Sequence, residues 1–162
     1  MEVTFAPNGI LQIDDARIIW RNFSGRESQF NAPGNKNFSW LIEDSELADR
    51  LVSEGWNVKI KPPREEDDIP FMHLAVKVRF DGYAPPNVYL VSGNNTRKLD
   101  EESIANLDDI EIDRIDMDIR PYDWNNARGS GRTAYLHSMR VIQRIDRFAA
   151  DHQEDDIQFD ME

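Results

Sequence analysis

The chain has no cysteine in its 162 residues. That excludes disulfides, thiolate metal sites and cysteine nucleophiles, and it suits a reducing compartment. No apolar run approaches the roughly 18–20 residues of a membrane helix, and the opening MEVTFAPNGI lacks the positive and apolar regions of a secretory signal. A soluble, cytoplasmic protein without a membrane partner is expected. Histidine is scarce, and His73, His137 and His152 show no ligand spacing, so neither a metal nor another cofactor is expected. The glycine-bearing SGNN and RGSGR stretches lack the Lys-Ser/Thr ending of a phosphate loop, and no nucleophile elbow is present. Nine acids lie between Asp100 and Asp118, but their spacing does not converge on a two-metal nuclease site, and a solvated edge is the simpler reading. No enzyme is expected.

Basic residues are missing altogether from the last twelve positions, 151–162, which carry six carboxylates around the apolar Ile157, Phe159 and Met161. Just before them, residues 119–150 hold six arginines against Asp123 and Asp146. The formal charge of −12 is therefore unevenly distributed, half of it sitting in the tail. Charges farther apart than about 8 Å are largely screened at physiological salt, so a mildly acidic body can still hold a basic channel. A cationic, aromatic-bearing segment followed by an anionic end supplies an internal competitor for any polyanion the body binds.

The length allows one domain, expected over residues 1–150, plus a disordered acidic tail at 151–162. Short β-branched and aromatic runs between Gly, Pro, Asn and Asp clusters predict strands at 10–13, 16–23, 37–42, 56–61, 71–80, 87–91, 114–120 and 133–145. Leu74, Val76, Val78 and Phe80 alternate with Ala75, Lys77 and Arg79, which gives one strand a basic outer face. One helix is expected at about 44–54, capped by Asp44 or Ser45, with Leu47, Leu51 and Val52 at helical spacing and Gly55 as its stop. A shorter helical turn fits Ser103 to Leu107, and the SGNNTRK segment reads as a turn. Between strands 114–120 and 133–145 the PYDWNNARGSGR segment reads as a long functional loop with Gly129 and Gly131 as hinges.

Non-specific binding of a nucleic-acid single strand needs flat rings for the bases and cations for the backbone. Two segments offer both. Arg17, Arg21, Arg26 and Lys36 interleave with Trp20, Phe23, Phe30, Phe38 and Trp40, while the loop carries Tyr122, Trp124, Arg128 and Arg132. Trp20, Phe38 and Trp56 lie in strand-like runs and are expected in the core. Lys59, Lys61, Lys77 and Arg79 add to the basic set.

The stretches KNFSWLIEDSELADRLVSEGWNVK, VKVRFDGYAPPNVYLVSG and DIRPYDWNNARGSGRTAYLHSM, with the acidic end, make the chain resemble phage single-stranded-DNA-binding proteins of the OB-fold type. The resemblance implies a mainly β, OB-fold-like five-stranded Greek-key barrel with one helix, extra strands and a long final hairpin. It places Arg120, Tyr122, Trp124, Arg128, Arg132 and Tyr135 at the binding face, in a protein that protects single-stranded DNA during replication or recombination. The tail is similar to the ends of bacterial single-strand-binding proteins in Asp155, Asp156, Ile157 and Phe159, although Gln158 stands where those have Pro and three residues extend past Phe159. That likeness implies replication or recombination proteins as tail partners, and the hairpins leave room for pairing into a homo-oligomer. The rival readings are an acidic β-sandwich serving as a structural or interaction protein of a virus-like particle, and a DNA mimic that blocks a DNA-binding enzyme.

Overall fold

The computed structural model describes residues 1–66 and 68–145, so the acidic tail, including Asp155, Asp156, Ile157 and Phe159, lies outside the described residues. Ten strands are present: β1 (Glu2–Phe5), β2 (Leu11–Asp14), β3 (Ile18–Asn22), β4 (Lys36–Ile42), β5 (Lys59–Lys61), β6 (Phe71–Val78), β7 (Asn87–Ser92), β8 (Asn95–Leu99), β9 (Ile112–Asn126) and β10 (Gly129–Gln143). Helix α1 spans Ser45–Ser53, and a 3-10 helix spans Ser103–Asp108. No described helix is long and apolar enough to cross a membrane.

The strands form one ladder in the order β1-β2-β9-β10-β6-β4-β3, with β5 against β6 and the β7–β8 hairpin against β10. The fold is mainly β and OB-like, as expected, and its sheet is open. Strand β10 organises it. One edge pairs along β9, while the other is shared between β6, through Ala134 and Tyr135, and β7, through residues 138–142. A register shift between Leu136 and Ser138 lies between those two partners, where a bulge bends the strand.

Inward positions follow the pleat. Met72, Leu74, Val76 and Val78 of β6 pack with Phe38, Trp40 and Ile42 of β4, Met117 and Ile119 of β9, and Leu51 of α1. Phe23 and Phe38 lie 5.3 Å apart at the centre. Helix α1 starts where Asp44 Oδ1 accepts from the Glu46 and Leu47 amides, and it stops at Gly55, whose φ of +95° suits glycine. Its buried side is Ala48 and Leu51; Val52, expected inward, is exposed because the core lies nearer the Ala48 side.

Three expectations need correction. Strand β1 was not expected, its four residues being too short a run to stand out beside Pro7. The SGNNTRK segment holds residues 95–98 of strand β8, whose exposed polar residues pair with β7 on one edge only and so carry no alternation. The supposed loop at 121–132 is a regular hairpin in which β9 and β10 continue to a tight turn at Ala127 and Arg128. Asn126 closes that turn by accepting from the Arg128 amide at 2.8 Å, with Gly129 at a φ of +135°.

Candidate nucleic-acid interface

Directly opposed residues of a ladder point to the same side of the sheet, so register assigns side chains to surfaces. Because Met72, Leu74 and Val76 face the core, Phe71, His73, Ala75 and Lys77 face outward. Tyr135 opposes both Lys77 and Arg120; Thr133 opposes Tyr122, and Gly131 opposes Trp124. Lys59 opposes His73, and Lys61 opposes Phe71. A bridge between Trp56 and Arg132 ties the approach to β5 to the outer hairpin, so the two lysines sit between β6 and the hairpin arm. One outward face thus carries Arg120, Tyr122, Trp124, Tyr135, Lys77, Lys59 and Lys61.

The rings on this face are arranged around cations. The Arg120 guanidinium lies 4.8 Å from the Tyr135 ring centre and 5.8 Å from that of Tyr83, and Tyr122 meets Tyr135 edge-on at 6.1 Å. Aromatic faces hold Arg120 here, and its buried Nε meets no hydrogen-bond partner among the described residues. Tyr83 is 93% exposed. Trp124 lies on Gly131, where an added Cβ would approach the ring to 2.7 Å. Gly131 is therefore a seat for the indole, rather than the hinge expected from sequence. Among the described residues, ion pairs engage Arg17, Arg26, Arg50, Arg79, Arg114, Arg132 and Arg144. None engages Lys59, Lys61, Lys77, Arg120 or Arg128, which leaves their charge available to a ligand.

The remaining candidates are placed differently. Arg17 pairs with Glu43 at 2.7 Å, and Arg21 donates to the Leu107 and Ile110 carbonyls at 2.8 Å each; both line a separate cleft of mixed charge with Asp113, Arg114 and Arg144. Arg21 thus fastens β3 to the end of the 3-10 helix and the turn that follows it. Lys36 opposes Val78 and shares the side of Phe38 and Trp40, at the rim of the core. Arg79 is held by Asp81 at 2.8 Å, and that hydrogen bond first, with the Tyr135 hydroxyl behind it, raises its pKa. Arg128 stands exposed at the hairpin turn.

Arg132 occupies the reverse side of the hairpin. Its guanidinium makes two hydrogen bonds to the Asp123 carboxylate, at 2.7 and 3.1 Å, and lies 5.3 Å from the ring centre of buried Trp56. The hydrogen bond from Arg132 holds the Asp123 carboxyl below the usual carboxylate range. This assembly braces the arm from behind while Tyr122 and Trp124 face outward.

Sequence reasoning passed over Phe71, His73 and Tyr83 and placed Trp20 in the core. Trp20 is the largest departure: expected in the core, it is 62% exposed, in a bulged stretch of β3 with φ at +53°. A bulky residue in that backbone region stores strain of order 1–3 kcal/mol. Its ring meets His73 edge-on at 4.8 Å and Phe71 at 5.5 Å. These three line a cleft of about 800 Å³ with Lys59, Lys61, Arg64, Ile60 and Ile69. His73 titrates below its ordinary value, through burial first and the nearby Lys59 second. For Phe71 and His73 a signal was present, since they continue backwards the face of Ala75 and Lys77. Nothing in the IIWRN run distinguishes Trp20 from its apolar neighbours.

The acid-rich stretch does structural work. Asp100 Oδ1 accepts from the Glu102 and Ser103 amides, Asp108 accepts from the Phe23 and Ser24 amides, and Asp116 accepts from the Asp15 amide.

No curated protein sequence matches the chain. Among solved structures it is similar to the single-stranded DNA-binding protein from bacteriophage Enc34, at 13% identity and a TM-score of 0.55, covering 89% of this chain and 85% of that one. The same phage protein in complex with ssDNA matches at 14% identity and a TM-score of 0.55, over 89% and 90% of the two chains. Its C-terminal truncation matches at 14% identity and 0.52, over 89% and 91%. At such identities the likeness establishes a shared fold. The family model described as "Putative phage ssDNA-binding domain" spans residues 2–159, nearly the whole sequence, and by that match the chain belongs to the phage single-stranded-DNA-binding family.

Proposed function

We propose that the protein binds single-stranded DNA without sequence preference along the outward face of β9, β10, β6 and β5. The observation that carries this reading is the register, which brings Arg120 and lysines without an ion-pair partner among the described residues onto the same side as Tyr122, Trp124 and Tyr135. Bases stack on the rings while the cations follow the phosphates. The Enc34 protein, captured with ssDNA, supports the reading through its common fold. The role is one of strand protection in phage replication or recombination, in the host-cell cytoplasm.

Fluorescence anisotropy with labelled oligo(dT) is the direct test. Binding should favour single strand over matching duplex, and log K should fall with log salt by roughly 0.7 per phosphate neutralised. Equal affinity for both forms, or a flat salt response, would count against the face as a phosphate-tracking groove.

The acidic end is proposed to compete for this groove and to recruit replication or recombination proteins through Asp155, Asp156, Ile157 and Phe159. Removing residues 151–162 is expected to tighten DNA binding and to flatten discrimination between strand forms. Unchanged or weaker affinity after truncation would remove self-competition from the account.

The hairpin brace supplies a test in which charge and geometry predict opposite signs. Asp123→Asn deletes an acid close to a polyanion site, which by charge alone should tighten binding. Loss of its hold on Arg132 loosens the arm that presents Tyr122 and Trp124, so affinity is expected to fall about two- to fivefold, the scale of one exposed ion pair. Tighter binding by this variant would show that Asp123 acts only as a charge.

A further inference from the structure

Trp20 combines two disfavoured conditions, an exposed indole and a left-handed backbone, in a residue whose ring is nevertheless fixed by neighbours on β6. Strained, over-determined residues of this kind cluster where a ligand is met. The surroundings define that ligand. Ile60, Ile69, Pro62 and Pro63 give the cleft apolar walls, and Lys59, Lys61 and Arg64 give it positive charge; Asp68 is the one acid among its described lining residues. His73 packs edge-on against the Trp20 ring at 4.8 Å as part of the same lining. A flat, largely apolar ring attached to an anion matches these features.

We propose that the Trp20–Phe71–His73 cleft is a preformed station for one unstacked nucleobase and its flanking phosphate, separate from the stacking rings of the hairpin. The inference rests on the DNA-binding reading above and adds a location and a ligand to it. A base packs on the open face of Trp20, with its phosphate between Lys61 and Arg64, so the strand enters the groove on one side of β5 and leaves past Tyr122 and Trp124 on the other. Two stations flanking the β5 lysines hold a strand more firmly than either alone.

The test is oligo(dT) binding by the full chain carrying Trp20→Asn, since asparagine accepts the left-handed backbone without the penalty that tryptophan meets. Affinity is expected to fall about 5- to 150-fold, the loss of one base–ring stack. The melting temperature should stay level or rise, because the substitution releases strain and buries nothing new. Trp20→Phe should recover most of the affinity. Unchanged affinity in a folded Trp20→Asn protein, with the wild type still binding, overturns the station alone. An affinity loss that disappears once residues 151–162 are deleted also overturns it, since the cleft would then serve the apolar residues of the tail. Failure of the wild type to bind oligo(dT) overturns both readings.

Discussion

A chain carrying Tyr122→Ala and Trp124→Ala together is expected to lose about thirtyfold or more in affinity for oligo(dT), at least about 2 kcal/mol from two removed stacks at roughly 1–3 kcal/mol each. Neither ring is needed to close the hairpin, because the ladder from residue 119 to the turn is made by the backbone and held from behind by Asp123, Arg132 and Trp56. Stability should therefore change little while binding collapses. The rings are neighbours on one face, so the double loss need not equal the sum of the single ones. The salt slope separates stacking from charge: the double variant removes no cation, so its slope should match the wild type's even as the curve shifts. A slope falling by about 0.7 would mean that a phosphate contact had gone too. Native-like affinity in the folded double variant would take the hairpin out of the binding site.

Trp40→Ala should have the largest effect on stability, costing about 3–5 kcal/mol as read by urea denaturation. Trp40 is fully buried at the middle of β4, opposite Leu74 on β6 and Ile18 on β3. Its removal leaves a cavity between the strands that position Lys77 and the Trp20 cleft. With total stabilities of about 5–15 kcal/mol for domains, that loss is a large share of what holds the fold together. A cost below about 1 kcal/mol would mean that the core closes over the gap.

The sequence made some of this arrangement visible and hid the rest, for reasons that differ from residue to residue. Alternation around Leu74, Val76 and Val78 identified a half-buried strand with Lys77 outward, because one wet face leaves a period of two. The capping of α1 by Asp44 was equally legible, since capping chemistry is local. Strand β8 was not, because an edge strand exposed on both sides has no hydrophobic pattern to betray it. The outer hairpin was hidden by its composition: PYDWNNARGSGR looks like a loop, yet its backbone ladder runs on to the turn, braced by a cross-strand ion pair. Trp20 was misplaced because only the bulge in β3, a tertiary feature, turns it away from the core. Arg17, Arg21 and Arg132 were legible as cations, but their partners Glu43, the Leu107 and Ile110 carbonyls, and Asp123 could be found only in space.

The shared edge of β10 bears on how the molecule is made. Strands β6, β7 and β9 all emerge from the ribosome before the one segment that stitches them together, and most of their mutual order waits for residues 129–143. Loop-closure entropy then has to be met over long separations once that segment appears, which slows folding relative to a chain of local hairpins. The nascent chain accordingly carries β6, β7 and β9 without their common partner until residues 129–143 have been made.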